Sequence, residues 1–284
     1  MALKKTVRRV MAAIGRIPAI SIIIRQPSVR KQIEKIPKAD LLYGNGWDRI
    51  HPFDLLHHTD TSGVAPAKDI SNQEAIIAHA VDYAGSQPSV LRLALNDLLP
   101  LDDYTFIDLG CGKGRALLVA SEFSFRAIVG VELSSRLAEI ARRNAEIVAT
   151  KFPARTPVRV AVGDASTFPL PAGNIVLFLY NPFGAKLIAN VVAGVEAALA
   201  AAARNIYIIY YNPVAGDCFD ASSLLHRRFA RMLPYDSDEI GFGPDRDDPL
   251  IIWQGGGVST TKPGSVDAKI LVSSNGMRAN LVQS

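Results

Sequence analysis

"FIDLGCGKGRALLVA", residues 106–120, decides how the rest of the chain reads. An apolar run ends in an acid, Asp108. Three glycines follow at alternating positions, Gly110, Gly112 and Gly114, and an apolar, helix-favouring segment begins directly after them. Backbone amides at such a strand-to-helix turn carry the positive end of the helix dipole. Glycines let the turn take positive φ and let a ligand approach the main chain closely. The turn therefore suits a nucleoside-bearing cofactor. Counted from Gly110, the dinucleotide fingerprint GxGxxG needs a third glycine at position 115, where this chain has Arg115; it reads DxGxGxG instead.

Working outward, apolar runs and helical patterns alternate. Strands are expected at 104–109, 126–133, 158–164, 174–180 and 205–212, with helices at 115–123, 135–152 and 185–203. Ser134 or Ser135 caps the second of these helices. The strands are near-continuous apolar runs, as strands buried on both faces are, so the sheet is parallel and covered by helices. "RRFARMLPY" and "PLIIWQ" flank a turn-rich "GPDRDDP" and predict a closing antiparallel hairpin. The fold class is thus α/β, doubly wound, with a mostly parallel seven-stranded sheet. Upstream, "NQEAIIAHAVDYA" and "PSVLRLALNDLL" are helical in period, with Pro88 at a helix start. Residues 39–70 are rich in Gly, Pro, Asp and Thr and read mostly as loop.

Two further strands end in acids. "VGVELS" ends in Glu132, placed to accept both ribose hydroxyls, and "AVGDAS" ends in Asp164. In a parallel sheet all three acids share the carboxyl edge, where open α/β folds bind ligands.

The residues that surround this core are less specific. The formal net charge is +4, a solvated basic surface rather than a strong nucleic-acid signal. Cys111 and Cys218 form neither a disulfide framework nor metal-ligand spacing, and the five histidines make no HxxxH pair, so no metal is expected and the setting reads as reducing and cytoplasmic. The basic segment 1–38 contains an apolar stretch broken by Arg16 and Pro18, too short to span a bilayer. It reads as an extension, with weak contact to a membrane surface or acidic partner as the alternative. Residues 39–256 read as the domain, with 39–99 covering the site. Residues 257–284 read as a tail in which "AKILV" offers an edge strand.

With these residues in hand the chain resembles a class I S-adenosylmethionine-dependent methyltransferase over roughly 83–254, within a bacterial methyltransferase-like subgroup. "FIDLGCGKG" resembles that family's first motif, "VGVELS" its second, "VGDAS" its third and "LYNPFG" its fourth. The resemblance implies that Asp108, Gly110 and Gly112 hold the methionine part of S-adenosylmethionine, with Cys111, Gly114, Leu133 and Asn181 also in the cofactor site. It implies that Glu132 takes the ribose, and that Asp164 with Ala165 edges the adenine. Tyr83 and Ser86, in "YAGSQPSVLR", fall in a segment resembling one that closes over the cofactor. Asn181, Pro182 and Phe183 fall where related enzymes grip an amino nitrogen, although this chain has one proline before the ring where those have two.

Methyl transfer is an in-line displacement that needs alignment more than a nucleophile from the protein, which agrees with the lack of any Ser-His-Asp pattern. His58, with His57 and Asp60 nearby, is a candidate to take a proton from the methyl acceptor. Trp47 and Phe53 line a pocket or pack beneath it. "YNPVAG" at 211–216 repeats the Asn-Pro theme one strand later. The methyl acceptor is left open between protein lysine, small amine, hydroxyl and base, with amino nitrogen favoured. A nicotinamide-dependent oxidoreductase and a catalytically silent cofactor-binding module are the alternatives; Arg115 argues against the first.

Overall fold

The computed structural model describes residues 49–63, 83–242 and 246–257, and the backbone of 268–273 and 278–283. The basic segment 1–38, Trp47 and most of the predicted helix 72–84 lie outside the described residues. Helix α1 (Pro52–His57) and helix α2 (Pro88–Asn96) precede the sheet. Then follow β1 (Tyr104–Leu109), α3 (Arg115–Ala120), β2 (Ala127–Glu132), α4 (Ser135–Lys151), β3 (Val158–Val162) and β4 (Asn174–Tyr180). The chain continues through α5 (Ala185–Ala201), β5 (Ile206–Tyr211), α6 (Asp217–Asp220), β6 (Leu225–Pro234) and β7 (Asp247–Gly255). Two more strands, β8 (Ala268–Ser273) and β9 (Arg278–Gln283), pair only with each other, so "AKILV" forms half of a separate hairpin and not an edge of the main sheet.

The main sheet has seven strands in the order β3-β2-β1-β4-β5-β7-β6. Strands β1 to β5 are mutually parallel. β7 inserts antiparallel between β5 and β6, so the last two strands enter as a hairpin with one strand reversed. The order reverses next to β1, between β1 and β4, and the crevice there is where doubly wound sheets bind ligands.

Alternate residues of each strand feed two cores. Phe106, Ile128, Phe178, Ile209 and Tyr211 pack with α2, α3 and α4. Ile107, Leu109, Leu177, Ile208 and Tyr210 pack with α5 and α6. On the second face Trp253 of β7 is fully buried against Phe219, and its indole N–H donates to Asp220 at 2.8 Å.

Local signals explain most element ends. Ser134 caps α4, its Oγ accepting from Leu137 N. Pro88 opens α2 as its sequence position predicts. α3 stops at Ala120, three residues short of the predicted end, because Phe125 turns back to pack on Phe106. Between β3 and β4 the chain makes only a 3₁₀ turn, Ala165–Thr167, where a full helix would cover the sheet. A cavity of about 290 Å³ lies there, between Phe168, Leu170 and the middle of α5.

Candidate active site

The glycine turn hangs from the end of β2: the amides of Gly110 and Cys111 both donate to Val131 O, at 2.9 and 3.0 Å. Gly110, Gly112 and Gly114 have φ of 84°, 53° and 87°, conformations that L side chains rarely adopt. Space is as restrictive as φ at the first two. A Cβ on Gly112 would lie 2.3 Å from the Tyr83 ring, and one on Gly110 would lie 2.8 Å from Pro182 Cβ. The loop is thus closed in by Tyr83 on one side and by the "YNPFG" turn on the other. Gly112→Ala is accordingly expected to displace Tyr83 and weaken cofactor binding more than tenfold, measured by calorimetry; Gly163→Ala, with open space around its Cβ position, serves as the control. The Cys111 side chain is buried under Gly130, so this residue presents its main chain to the turn.

Two carboxylates back the loop. Glu132 Oε2 accepts from Gly112 N at 2.8 Å and Oε1 from Ser134 N at 2.9 Å, so the acid already binds the turn it is expected to serve. Burial raises its pKa, and the two amide hydrogen bonds oppose that rise. Asp108 is 3% exposed. Burial, and after it the adjacent Glu132 charge, push its pKa well above the ordinary carboxylate range, and no hydrogen bond from the described residues offsets the rise. A buried acid in this state fits a cationic ligand, which S-adenosylmethionine is at both its amino group and its sulfur. Asp164 lies exposed after β3, its carboxylate capping the 3₁₀ turn through Ser166 N; Ala165 beside it is buried, and Leu133 is partly exposed at the end of β2. Asp108, Glu132, Asp164 and Asn181 therefore stand at the carboxyl ends of four adjacent parallel strands.

Residues 59–63 form a strap across the loop, fastened by contacts that no local pattern in the sequence marks. "HPFDLLHH", read as loop, contains α1, opened by Pro52 at the first helical turn and capped by His51. Asp54 accepts from Thr59 Oγ1, Thr61 N, Thr61 Oγ1 and Ser62 Oγ. Desolvation opposes its ionisation, yet these bonds and Arg115 carry its pKa below the usual value. Arg115, the residue that breaks the dinucleotide fingerprint, is 4% exposed. It donates to Thr61 Oγ1 at 2.7 Å, Thr61 O at 2.8 Å and Ser86 O at 3.3 Å, and lies 4.0 Å from Asp54. A cation at the first position of a helix opposes the dipole; here it ties the strap and the Tyr83–Gln87 segment together. Lys113 adds bonds to Asp60 Oδ1 and Ser62 O, both 2.7 Å, and the Asn144 amide holds both Asp60 and Lys113 main chains. Tyr83 closes the circuit through Thr61 O at 2.7 Å.

The histidines take structural places. His51 accepts from Phe53 N at Nδ1 and meets Gln87 Oε1 through Nε2, and burial lowers its pKa to about 3, so the ring is neutral. His57 is buried against Phe53 and Phe152, with its pKa lowered chiefly by desolvation. His58 is exposed, ending α1 in the left-handed region at φ 62°. Asn181 and Pro182 stand at the rim. Phe183 does not: its ring is buried in the α5-side core with Ile188 and Val191. The half-buried aromatic at the end of β4 is Tyr180, stacked on Tyr211 with centroids 4.5 Å apart.

Residues 107–204 match a family model described as a methyltransferase domain. No curated protein matches the chain. Among solved structures, YcgJ from Bacillus subtilis is 14% identical, the match covering 58% of this chain and 97% of that one with a TM-score of 0.40. An O-methyltransferase-like protein from Klebsiella pneumoniae is 15% identical, covering 62% and 82%, with a TM-score of 0.44. An RNA methyltransferase from Salinibacter ruber, solved with S-adenosyl-L-homocysteine, is 16% identical, covering 64% and 100%, with a TM-score of 0.38. The matched stretch, 107–204, runs from within β1 through α5 and so contains the glycine turn, all three strand-end acids and the Asn-Pro turn. This stretch of the chain is thus similar to a methyltransferase domain.

Proposed function

We propose that the domain methylates an amino nitrogen, in a protein or a small molecule. The observation that carries this reading is the placement of Asn181. It ends β4 with φ 39°, held in the left-handed region by the turn, and the next residue, Pro182, packs on Gly110 of the cofactor loop. A hydrogen-bonding amide is thereby fixed beside the loop.

S-adenosylmethionine, when bound, supplies a methyl group activated on a positively charged sulfur. Asp108, the Gly110–Gly112 main chain, Glu132, Asp164, Ala165 and Tyr83 are the residues that would hold it. Asn181 Oδ1 is positioned to accept N–H from the incoming nitrogen and to turn its lone pair toward the loop. Tyr210 O–H donates to that oxygen over a long 3.5 Å. The strap and Tyr83 cover the loop and limit water. Alignment of this kind lowers a barrier by about 7–11 kcal/mol.

The test is transfer from deuterated-methyl cofactor into lysate components, read by mass spectrometry. Label is expected on nitrogen, and Asn181→Ala is expected to cut it on the order of tenfold or more while S-adenosylhomocysteine binding stays within about twofold. Label confined to oxygen, or an Asn181→Ala enzyme of full activity, sinks the reading. No label at all with tight cofactor binding favours the catalytically silent module.

A further inference from the structure

The Asn-Pro turn after β4 has a twin. Tyr180-Asn181-Pro182 and Tyr211-Asn212-Pro213 end neighbouring parallel strands, and Tyr180 pairs with Tyr211 in register. Both asparagines are left-handed, with φ of 39° and 53°. The tyrosine rings stack, and the Tyr210 hydroxyl lies between the turns, donating to Asn181 Oδ1 at 3.5 Å and accepting from Ala215 N at 3.4 Å. The main chain of the second turn is satisfied: Asn212 N donates to Pro249 O at 2.8 Å and Asn212 O accepts from Val214 N at 2.9 Å. Its side chain is not. Asn212 is 1% exposed, and its Oδ1 has no hydrogen-bond partner among the described residues. A buried acceptor left unpaired is costly and calls for a reason.

We propose that Asn212 is a second residue that binds the methyl acceptor, and that Asn181 and Asn212 together select a primary nitrogen and release it after one methylation. This rests on the amino-nitrogen reading given above. Register partners on adjacent strands lie about 4.8 Å apart. Two hydrogen bonds of about 2.9 Å that fan out from one NH₂ group end on oxygens about 4.7–5 Å apart. Asn181 and Asn212 each follow directly on the register partners Tyr180 and Tyr211, so two amides carried one strand spacing apart suit a nitrogen that carries two N–H bonds. With both hydrogens held, the lone pair is the only direction left for bond formation. The nitrogen–carbon bond forms with that lone pair, the carbon–sulfur bond breaks with its electrons going to sulfur, and one N–H proton leaves to solvent. The product has one N–H fewer, so one of the two oxygens is left without its hydrogen. Sites built around a polar group discriminate strongly against a ligand that leaves it unpaired.

The test uses Asn212→Gly, which keeps the left-handed turn and removes the amide, and Asn212→Asp, which keeps the oxygen. Both are assayed for melting temperature, S-adenosylhomocysteine affinity and transfer from deuterated-methyl cofactor to lysate. The wild-type products are expected to carry one labelled methyl per nitrogen. Asn212→Gly is expected to melt no lower than wild type and to bind S-adenosylhomocysteine equally, yet to transfer on the order of tenfold less. Asn212→Asp is expected to retain most of the transfer. Wild-type products carrying two or three labels on one nitrogen, or full transfer by a folded Asn212→Gly protein, overturn the proposal while leaving Asn181 and nitrogen transfer standing. Loss of transfer in Asn181→Ala alone, with Asn212→Gly unaffected, overturns it equally.

Discussion

Asp108→Asn is expected to abolish cofactor binding and, in the same protein, to raise the melting temperature of the ligand-free form at alkaline pH. Both effects come from one buried charge. Burial, then Glu132, raises the Asp108 pKa well above its ordinary value of 3.8. A carboxyl whose folded pKa is raised favours the folded state fully below its unfolded pKa. That contribution is lost as pH rises through the folded value. Asparagine carries no such penalty, so the variant gains stability over wild type above that raised value, and the gain vanishes below about pH 3.8. Cofactor affinity has the opposite dependence. A cationic ligand favours the ionised acid, so wild-type affinity rises with pH through the same window, and the variant's does not. Truncating one partner of a buried charge pair costs on the order of 2–5 kcal/mol, which is a hundredfold or more in affinity for most of that range. Calorimetry and thermal melts over a pH series check both. A variant that binds normally removes Asp108 from the site.

Arg115→Ala is expected to cost about 3–5 kcal/mol of stability, the usual penalty for removing one partner of a buried ion pair. The strap then loses two hydrogen bonds, the Tyr83–Gln87 segment loses one, and Asp54 loses the cation beside it. For a domain of this size the melting temperature falls on the order of 10 °C. Arg115→Lys rescues little, because a single ammonium cannot replace a fork that reaches Thr61 and Ser86 at once. Hydrogen exchange is expected to show early loss of protection at 59–63 and 83–87, ahead of the sheet. Equal protection in the variant removes Arg115 from its role as a tie.

Strands β1, β4 and β5 are legible in the sequence because burial on both faces writes a strand as one unbroken apolar run, and because acids cluster where such runs stop; β3, at the edge, carries Arg159 and is not buried. That is why Asp108, Glu132 and Asp164 can be placed from their positions alone. The insertion of β7 beside β5 is not legible, since a hairpin's composition does not say which of its strands docks. Nor is the strap. Arg115 meets Ser86 and Thr61 across separations of 29 and 54 residues, and nothing local marks the pairing. In the sequence Arg115 stands out only as a missing glycine; its place against the helix dipole is the available clue. Phe183 departs from its expected place because an aromatic after Asn-Pro looks the same whether it faces substrate or core. The core claims it, through the small and branched residues of α5.

Trp253 gives the molecule a built-in optical gauge. Its indole lies 6.5 Å from the Tyr210 ring, whose hydroxyl reaches the first Asn-Pro turn. The chain has two tryptophans, Trp47 and Trp253. Silencing Trp47 by replacement with phenylalanine leaves a single dry emitter, so its colour and brightness would register a ligand arriving at the first Asn-Pro turn without any label being attached.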